Sequence, residues 1–299
     1  MIKELVVISG KGGTGKTSIV ASFAALAGQS VLADCDVDAA DLHLVLAPDV
    51  QHSEEFLGGK VSSIDPDICT GCGLCTESCR FDAIRESDDP DVPLNKLFTV
   101  DPVTCEGCGV CKFVCPEDAV DLVDRKAGDW FVSETKFGPM VHARLGVAAE
   151  NSGKLVALIK TNAEQIASER RLDLVIVDGS PGIGCPVISS ITGADLVLII
   201  TEPTLSGQHD LARVSDLTEH FNIPAVVCVN KWDINPDVSG SIQEWCEKRE
   251  LEMVGKVEYD RSVTEAQIVG KSIIEFGNGR VTSEIKQMWE KIREKLQLG

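Results

Sequence analysis

Two cysteine runs of identical spacing constrain this chain more than any other feature. They are Cys69-x2-Cys72-x2-Cys75-x3-Cys79 and Cys105-x2-Cys108-x2-Cys111-x3-Cys115, the second followed by Pro116. Four thiolates at this spacing suit one iron–sulfur cube, so two runs imply two [4Fe–4S] clusters. Zinc would call for paired Cys-x2-Cys knuckles at longer separations. A glycine-rich loop, Gly10-Lys11-Gly12-Gly13-Thr14-Gly15-Lys16-Thr17, precedes both runs, and the strand suited to its Mg²⁺ comes only after them. The expected organisation is a nucleotide-binding fold interrupted by a cluster-binding module.

The chain has 299 residues, 43% hydrophobic and 25% charged, enough for one large core and a second small one. No stretch approaches the roughly 18 uninterrupted apolar residues of a membrane span. The first residues enter a strand at Leu5 without a charged-then-apolar leader, so cytoplasmic residence is the expectation. A formal charge of −19 disfavours nucleic acid and anionic lipid as partners. Bound clusters, each about −2 with its four thiolates, would deepen it. Disulfides are not expected in such a chain.

Leu5–Ser9 reads as a buried strand, Lys16–Leu26 as the following helix and Ser30–Ala33 as a second strand, after which αβ alternation is expected to stop. From about Val61 to Lys126 the chain is rich in Cys, Asp, Pro and Gly. Residues 69–84 and 105–120 align at an offset of 36, sharing all four cysteines, two glycines and an Asp-Ala pair. Glu86–Leu97, containing Asp88–Pro93, reads as an exposed loop. Residues 127–145 suggest two short strands. Alternation resumes with a helix near Ser152–Glu169, strands Leu172–Val177 and Leu196–Thr201, a helix near Gly207–His220 and a strand Ala225–Val229. These strands are continuously apolar, as in a parallel sheet covered on both faces. The fold class expected is α/β: a doubly wound, mostly parallel sheet formed by residues 1–60 and 127–299, with residues 61–126 inserted as a small α+β domain.

The loop lies between a strand and a helix, where its backbone N–H groups can curl around phosphates, Lys16 can reach the β/γ oxygens and Thr17 can offer a hydroxyl to Mg²⁺. Gly10, Lys11, Gly12, Gly13, Thr14, Gly15, Lys16, Thr17 and Ser18 are the candidate nucleotide-binding residues. The additional lysine makes Lys11–Thr17 resemble the deviant Walker A motif of the MinD/ParA/Mrp family, which includes the nitrogenase iron protein. That resemblance implies an ATP-bound dimer, a homodimer or a heterodimer with a paralogue, in which Lys11 reaches the partner's phosphates. Leu174–Gly182 looks like the family's Walker B strand and switch II, with Asp178 binding Mg²⁺ through water. Asp34-Cys35-Asp36 looks like switch I, with Asp36 positioning the attacking water. Asp34 and Asp38 read equally well as turn-capping or solvated carboxylates. Asn230-Lys231-Trp232-Asp233 resembles the base-reading loop. Asn-Lys-x-Asp is also a guanine-reading pattern, but the family implies ATP, with Asn230 addressing adenine and Asp233 either a reader or a turn residue. Thr201–Thr204 and Gly255–Tyr259 also fit the family.

The cysteine segment resembles bacterial two-cluster ferredoxins, in which the fourth cysteine of each run crosses to the other cluster. The resemblance implies one cube on Cys69, Cys72, Cys75 and Cys115, and the other on Cys105, Cys108, Cys111 and Cys79. Arg80 departs from the pattern by standing where the second run has proline. Cys35 lies between the two switch I aspartates and Cys185 follows switch II; an analogy with the nitrogenase iron protein suggests a bridging metal, whereas small buried hydrophobes are the plainer reading. Cys228 and Cys246 fit that plainer reading. Ile285, Met288, Trp289, Ile292 and Leu296 fall at helical spacing. MinD-type proteins can end in a membrane-binding helix, but a polar face of mixed sign favours docking on the chain's own core, so membrane association is not expected.

The function expected is a Mg²⁺-dependent ATPase that couples nucleotide-dependent dimerisation to electron transfer through two [4Fe–4S] clusters, towards an unidentified redox or cluster-accepting protein. The alternatives are a cluster-assembly or carrier ATPase and a MinD-like spatial regulator with a redox sensor.

Overall fold

The computed structural model describes residues 1–87, 93, 97–146 and 152–298; most of the expected Asp88–Pro93 loop lies outside the described residues. The chain divides into two compact units. The first comprises Met1–Glu54, Trp130–Arg144 and Ser152–Gly299, and the second Glu55–Asp129 with Leu145–Asn151.

The elements run β1 (Lys3–Ser9), α1 (Lys16–Ala27), β2 (Val31–Asp34), α2 (Leu42–Leu46), β3 (Asp49–Ile64), α3 (Leu74–Glu77), β4 (Ile84–Glu86), β5 (Phe98–Val100), α4 (Val110–Val114), β6 (Val120–Thr135) and β7 (Gly138–Leu145). They continue with α5 (Ser152–Arg170), β8 (Leu174–Pro181), α6 (Cys185–Ile191), β9 (Leu196–Thr201), α7 (Leu205–His220), β10 (Ala225–Asn230), α8 (Pro236–Lys248), β11 (Met253–Val257), α9 (Arg261–Ile268), α10 (Ile273–Phe276) and α11 (Arg280–Leu296).

Among the described residues the main sheet has the order β11-β10-β9-β1-β8-β2-β7-β6-β3. The pairs from β11 through β7 are parallel. The cause is compositional: Leu5–Ile8, Leu174–Val177 and Leu196–Ile200 are apolar at every position and buried on both faces, so helices must cover both. The register sets Asp34 of β2 opposite Asp178 of β8, and Ser9 of β1 opposite Pro181. The C-terminal strand ends, where ligands bind in open α/β sheets, therefore carry the residues singled out by sequence.

α11 closes this core. Ile285, Met288, Trp289, Ile292 and Leu296 are buried, and Trp289 meets Phe23 of α1 with ring centroids 5.0 Å apart. Each such side chain contributes roughly 1.5–3 kcal/mol by burial, so the apolar stripe is accounted for within the first unit.

Three expectations are corrected. Alternation does not stop at β2, since α2 and β3, a strand of 16 residues, follow it, and the two short strands expected over 127–145 are the end of the equally long β6 followed by β7. β3 has no signature in the sequence because its first seven residues are all exposed and show no apolar alternation. The strand expected from Leu172 begins at Leu174 and runs on to Pro181.

The second unit holds the antiparallel pair β4–β5, with Ile84 opposite Val100. Its small core gathers Cys75, Ile84, Phe98, Cys111 and Val120. The internal repeat is conformational as well as sequential: Gly71, Gly73 and Asp82 have φ of 74°, 79° and 50°, and their counterparts Gly107, Gly109 and Asp118 have 61°, 77° and 53°.

Candidate functional site

The first unit carries a cavity of about 400 Å³ lined by the glycine loop, Asp36, Asn230, Lys231 and Tyr259. α1 starts on Gly15 with no side-chain cap and no acidic residue in its first turn, so its N-terminal N–H groups and dipole favour an anion. Gly15 has φ +89°, and a Cβ there would lie 2.3 Å from Asn230 Nδ2. Asn230 Nδ2 instead donates to Thr14 O at 2.7 Å. Asn230 therefore braces the loop through one amide hydrogen while it lines the same cavity. Asp233 does not line the cavity; its Oδ1 accepts from Tyr259 N at 2.6 Å, which fixes the segment that does.

Lys16 Nζ donates to Asp178 Oδ1 at 2.9 Å and to Asp36 Oδ2 at 3.0 Å, and all three groups are buried. Burial opposes the lysine's charge, but Asp178 and Asp36 outweigh it and raise its pKa. The carboxylates do less well, because several share one cation. Burial pushes Asp36 up despite Lys16. Burial and then Asp178 push Asp34 well up. Asp34 accepts from the N–H groups of Asp36 and Leu42, both at 3.3 Å, so its role is to shape the turn after β2. Cys35 N donates to Asp178 O at 2.8 Å, and Ser180 Oγ donates to Cys35 O at 2.6 Å, tying the two switch-like segments together.

The residues fit a hard cation with a polyphosphate. Asp178 Oδ2 is buried without a hydrogen-bond partner, and Thr17 lines the same cavity as Asp36. Mg²⁺ commonly takes one or two protein oxygens and fills its octahedron with water and phosphate.

Lys11 points to a neighbouring loop of its own chain. Its Nζ lies 2.5 Å from Glu202 Oε1 and donates to Ser206 Oγ at 3.1 Å and Thr204 Oγ1 at 3.3 Å. Glu202 Oε2 lies 3.5 Å from Lys231 Nζ, which also donates to Gly13 O at 3.1 Å. In sequence Glu202 and Lys231 stand only within motifs that give no sign of this link; two lysines near one glycine loop are its available signal. Ser18 Oγ accepts from Gln267 Nε2 at 2.8 Å.

In the second unit the eight cysteines fall into two rings. Cys69, Cys72, Cys75 and Cys115 line one small cavity with Ile64, Phe98 and Val120. Cys79, Cys105, Cys108 and Cys111 line the other with Ser62, Phe81 and Ile84. Each ring takes three cysteines from one run and its fourth from the other. No three His, Cys, Asp or Glu side chains among the described residues gather closely enough for a single metal ion. A cube places four irons behind four sulfurs, so its ligands ring a wider space. The donor chemistry suits it: the ring donors are sulfur, and backbone N–H groups point at them, Gly107 N to Cys105 Sγ at 3.4 Å and Ala119 N to Cys115 Sγ at 3.3 Å. Cys35, Cys228 and Cys246 are buried outside both rings, and Cys185 is exposed. Burial pushes the Cys35 thiol well up and the Cys246 thiol up to about 11, as for inert packing residues. No helix among the described residues is long and apolar enough to cross a membrane.

The chain is similar to an uncharacterized protein of Methanocaldococcus jannaschii, 33% identical over 297 residues and covering 98% of each chain. An iron-sulfur cluster carrier protein of Pyrococcus furiosus is 24% identical over 139 residues, 42% of this chain and 46% of that protein. The septum site-determining protein MinD of Pyrococcus horikoshii, solved in complex with Mg-ADP, shares the fold with a TM-score of 0.58 at 15% identity, over 98% of this chain and 96% of that one. Residues 5–273 match the CobQ/CobB/MinD/ParA nucleotide binding domain. With glycine loop, paired lysines and strand-end aspartates in the places described, the chain belongs to the CobQ/CobB/MinD/ParA family of nucleotide-binding proteins.

Proposed function

We propose that the chain is a Mg²⁺-dependent ATPase that couples phosphate occupancy to electron transfer through two [4Fe–4S] clusters, residues 61–126 forming the cluster-bearing insert. The observation that carries this reading is the grouping of eight cysteines into two rings within a chain of a nucleotide-binding family. When bound, Mg·ATP supplies a cleavable phosphoanhydride and the clusters supply one-electron carriers. Cys69, Cys72, Cys75 and Cys115 hold one cluster, and Cys79, Cys105, Cys108 and Cys111 the other.

Within the nucleotide site, the N–H groups of Gly12–Thr17 and Lys16 hold the phosphates, Thr17 and Asp178 hold Mg²⁺, and Asp36 orients water. Lys16 already partners Asp36 and Asp178, so phosphate oxygens that claim its ammonium oblige both carboxylates to find new partners. Asp178 would then be free to hold Mg²⁺ and Asp36 to orient water. This exchange is the switch. Lys11 leaves Glu202 to reach the phosphates of a second subunit in an ATP-bound dimer. In sequence the switch-like segments bracket the cysteine runs, which gives both connections a route to sense the γ-phosphate.

The test is a redox titration followed by EPR, with and without Mg·ATP, on wild type and Asp36→Ala. Midpoints that move with nucleotide in wild type alone support the reading. Identical midpoints, with an ATPase rate indifferent to cluster reduction, overturn it. A second reading, a cluster carrier, is favoured by the similarity to the Pyrococcus furiosus carrier protein. It requires clusters to pass to an apo-acceptor, whereas electron-carrying clusters stay bound under the same challenge.

A further inference from the structure

The two cysteine rings differ, and the difference comes from a residue outside both runs. Ser62 of β3 lines the ring of Cys79, Cys105, Cys108 and Cys111, while Ile64 lines the other. Two residues apart on a strand, they share one face, so the strand offers a hydroxyl to one ring and a hydrocarbon to the next. Ser62 is 5% exposed. Its Oγ lies 3.0 Å from Cys111 Sγ, and its backbone N–H donates to Cys105 Sγ at 3.5 Å. At the other ring the neighbouring hydroxyl is that of Thr76, inside the cysteine run itself, whose Oγ1 is buried beside Cys75.

Building on the cluster reading above, we propose that Ser62 sets the reduction potential of the group held by Cys79, Cys105, Cys108 and Cys111, holding it above the value those thiolates alone would give. A ligating Cys111 is a thiolate with no proton to give, so the direction of the 3.0 Å hydrogen bond is fixed: Ser62 Oγ–H donates. Accepting one electron from a low-potential donor adds one negative charge to the ring and no proton. A dipole aimed at a ligand sulfur stabilises that extra charge more than it stabilises the oxidised state, which raises the potential. Burial acts in the opposite sense: Cys105 and Cys111 are both buried, against Cys75 alone in the other ring, and a drier site resists added charge. Ser62 offsets that resistance, and water is too scarce beside it to compete for the hydroxyl. It is a potential-setting residue for its own ring.

The experiment is a dithionite titration followed by EPR on anaerobically purified full-length protein as wild type, Ser62→Ala and Ser62→Thr. In Ser62→Ala one of the two midpoints should fall and the other stay. The one-electron reduction constant should drop roughly tenfold, the scale of losing one charge-assisted hydrogen bond, which is about 59 mV. Ser62→Thr keeps the hydroxyl and should restore the wild-type value, which a merely structural role would not do. Midpoints that stay fixed or move together, at roughly eight irons per chain, overturn this role for Ser62 and leave the cluster reading intact. Wild-type protein with far fewer irons overturns both.

Discussion

The two units stabilise their functional groups by opposite means. In the first, a buried lysine is shared among acidic side chains at the rim of a sheet whose apolar core is complete without it. In the second, the proposed cluster ligands are part of the core: Cys75 and Cys111 belong to the small cluster of buried residues, with Cys79 and Cys115 packed against it. A site built on the edge of a finished core can exchange partners without unfolding. A site that supplies much of its own core cannot, so the same chain joins a switchable part to a part that should hold still.

On the proposed cluster reading, the sharpest way to break this comparison is to remove iron. Chelation under oxidising conditions should abolish the ordered structure of the second unit and spare the first, read by limited proteolysis and near-ultraviolet circular dichroism. Survival of the second unit would mean that Ile84, Phe98 and Val120 suffice as its core. Next in size is Lys16→Ala. Leaving Asp36 and Asp178 buried without their cation should cost the first unit roughly 3–5 kcal/mol in urea denaturation. Nucleotide affinity should fall by roughly ten- to a hundredfold, while iron content is unchanged.

A smaller effect concerns pH. Burial, with a minor contribution from His43, pushes His142 down to about 4. Above its ordinary value of 6.5 both folded and unfolded states are neutral and its contribution to stability is full. As pH falls from 6.5 towards 4 only the unfolded state binds the proton, so stability declines by at most about 1.4 kcal/mol per pH unit, less for a side chain that keeps some solvent contact. His142→Gln should flatten that slope in the first unit's transition and leave the second unit's alone. The smallest change in stability belongs to Lys11→Ala, below about 1 kcal/mol, since its pairing with Glu202 is partly exposed. Nucleotide binding should largely persist while hydrolysis and ATP-dependent dimerisation are lost; a normal hydrolysis rate would show that Lys11 acts on no partner.

What the sequence reveals follows the same division. Continuous apolar strands and a glycine loop between strand and helix specify the first unit almost unaided, because burial on both faces leaves little choice of architecture. The offset of 36 residues reveals the repeat, since left-handed backbone positions favour glycine at matching places. β3 stayed hidden because an exposed outer strand need not carry apolar alternation, and Ser62 stayed hidden with it. The partners of Lys11 and Asp233 could not be read either: a loop from another element supplies each, and no local spacing encodes that.

The packing around the glycine loop bears on how this lineage would change over time. A Cβ on Gly10 would come within 2.3 Å of Asp210 Cβ, and one on Gly15 equally close to Asn230 Nδ2. Gly10 is demanded by neighbouring protein atoms and Gly15 by its φ of +89°, whatever the loop does with phosphate. A descendant that had given up nucleotide turnover would therefore still keep them, and the glycine signature would outlive the chemistry. Drift would show first at Lys11, whose partly exposed pairing with Glu202 adds little to stability, and that position is where a silent member of this lineage should be recognised.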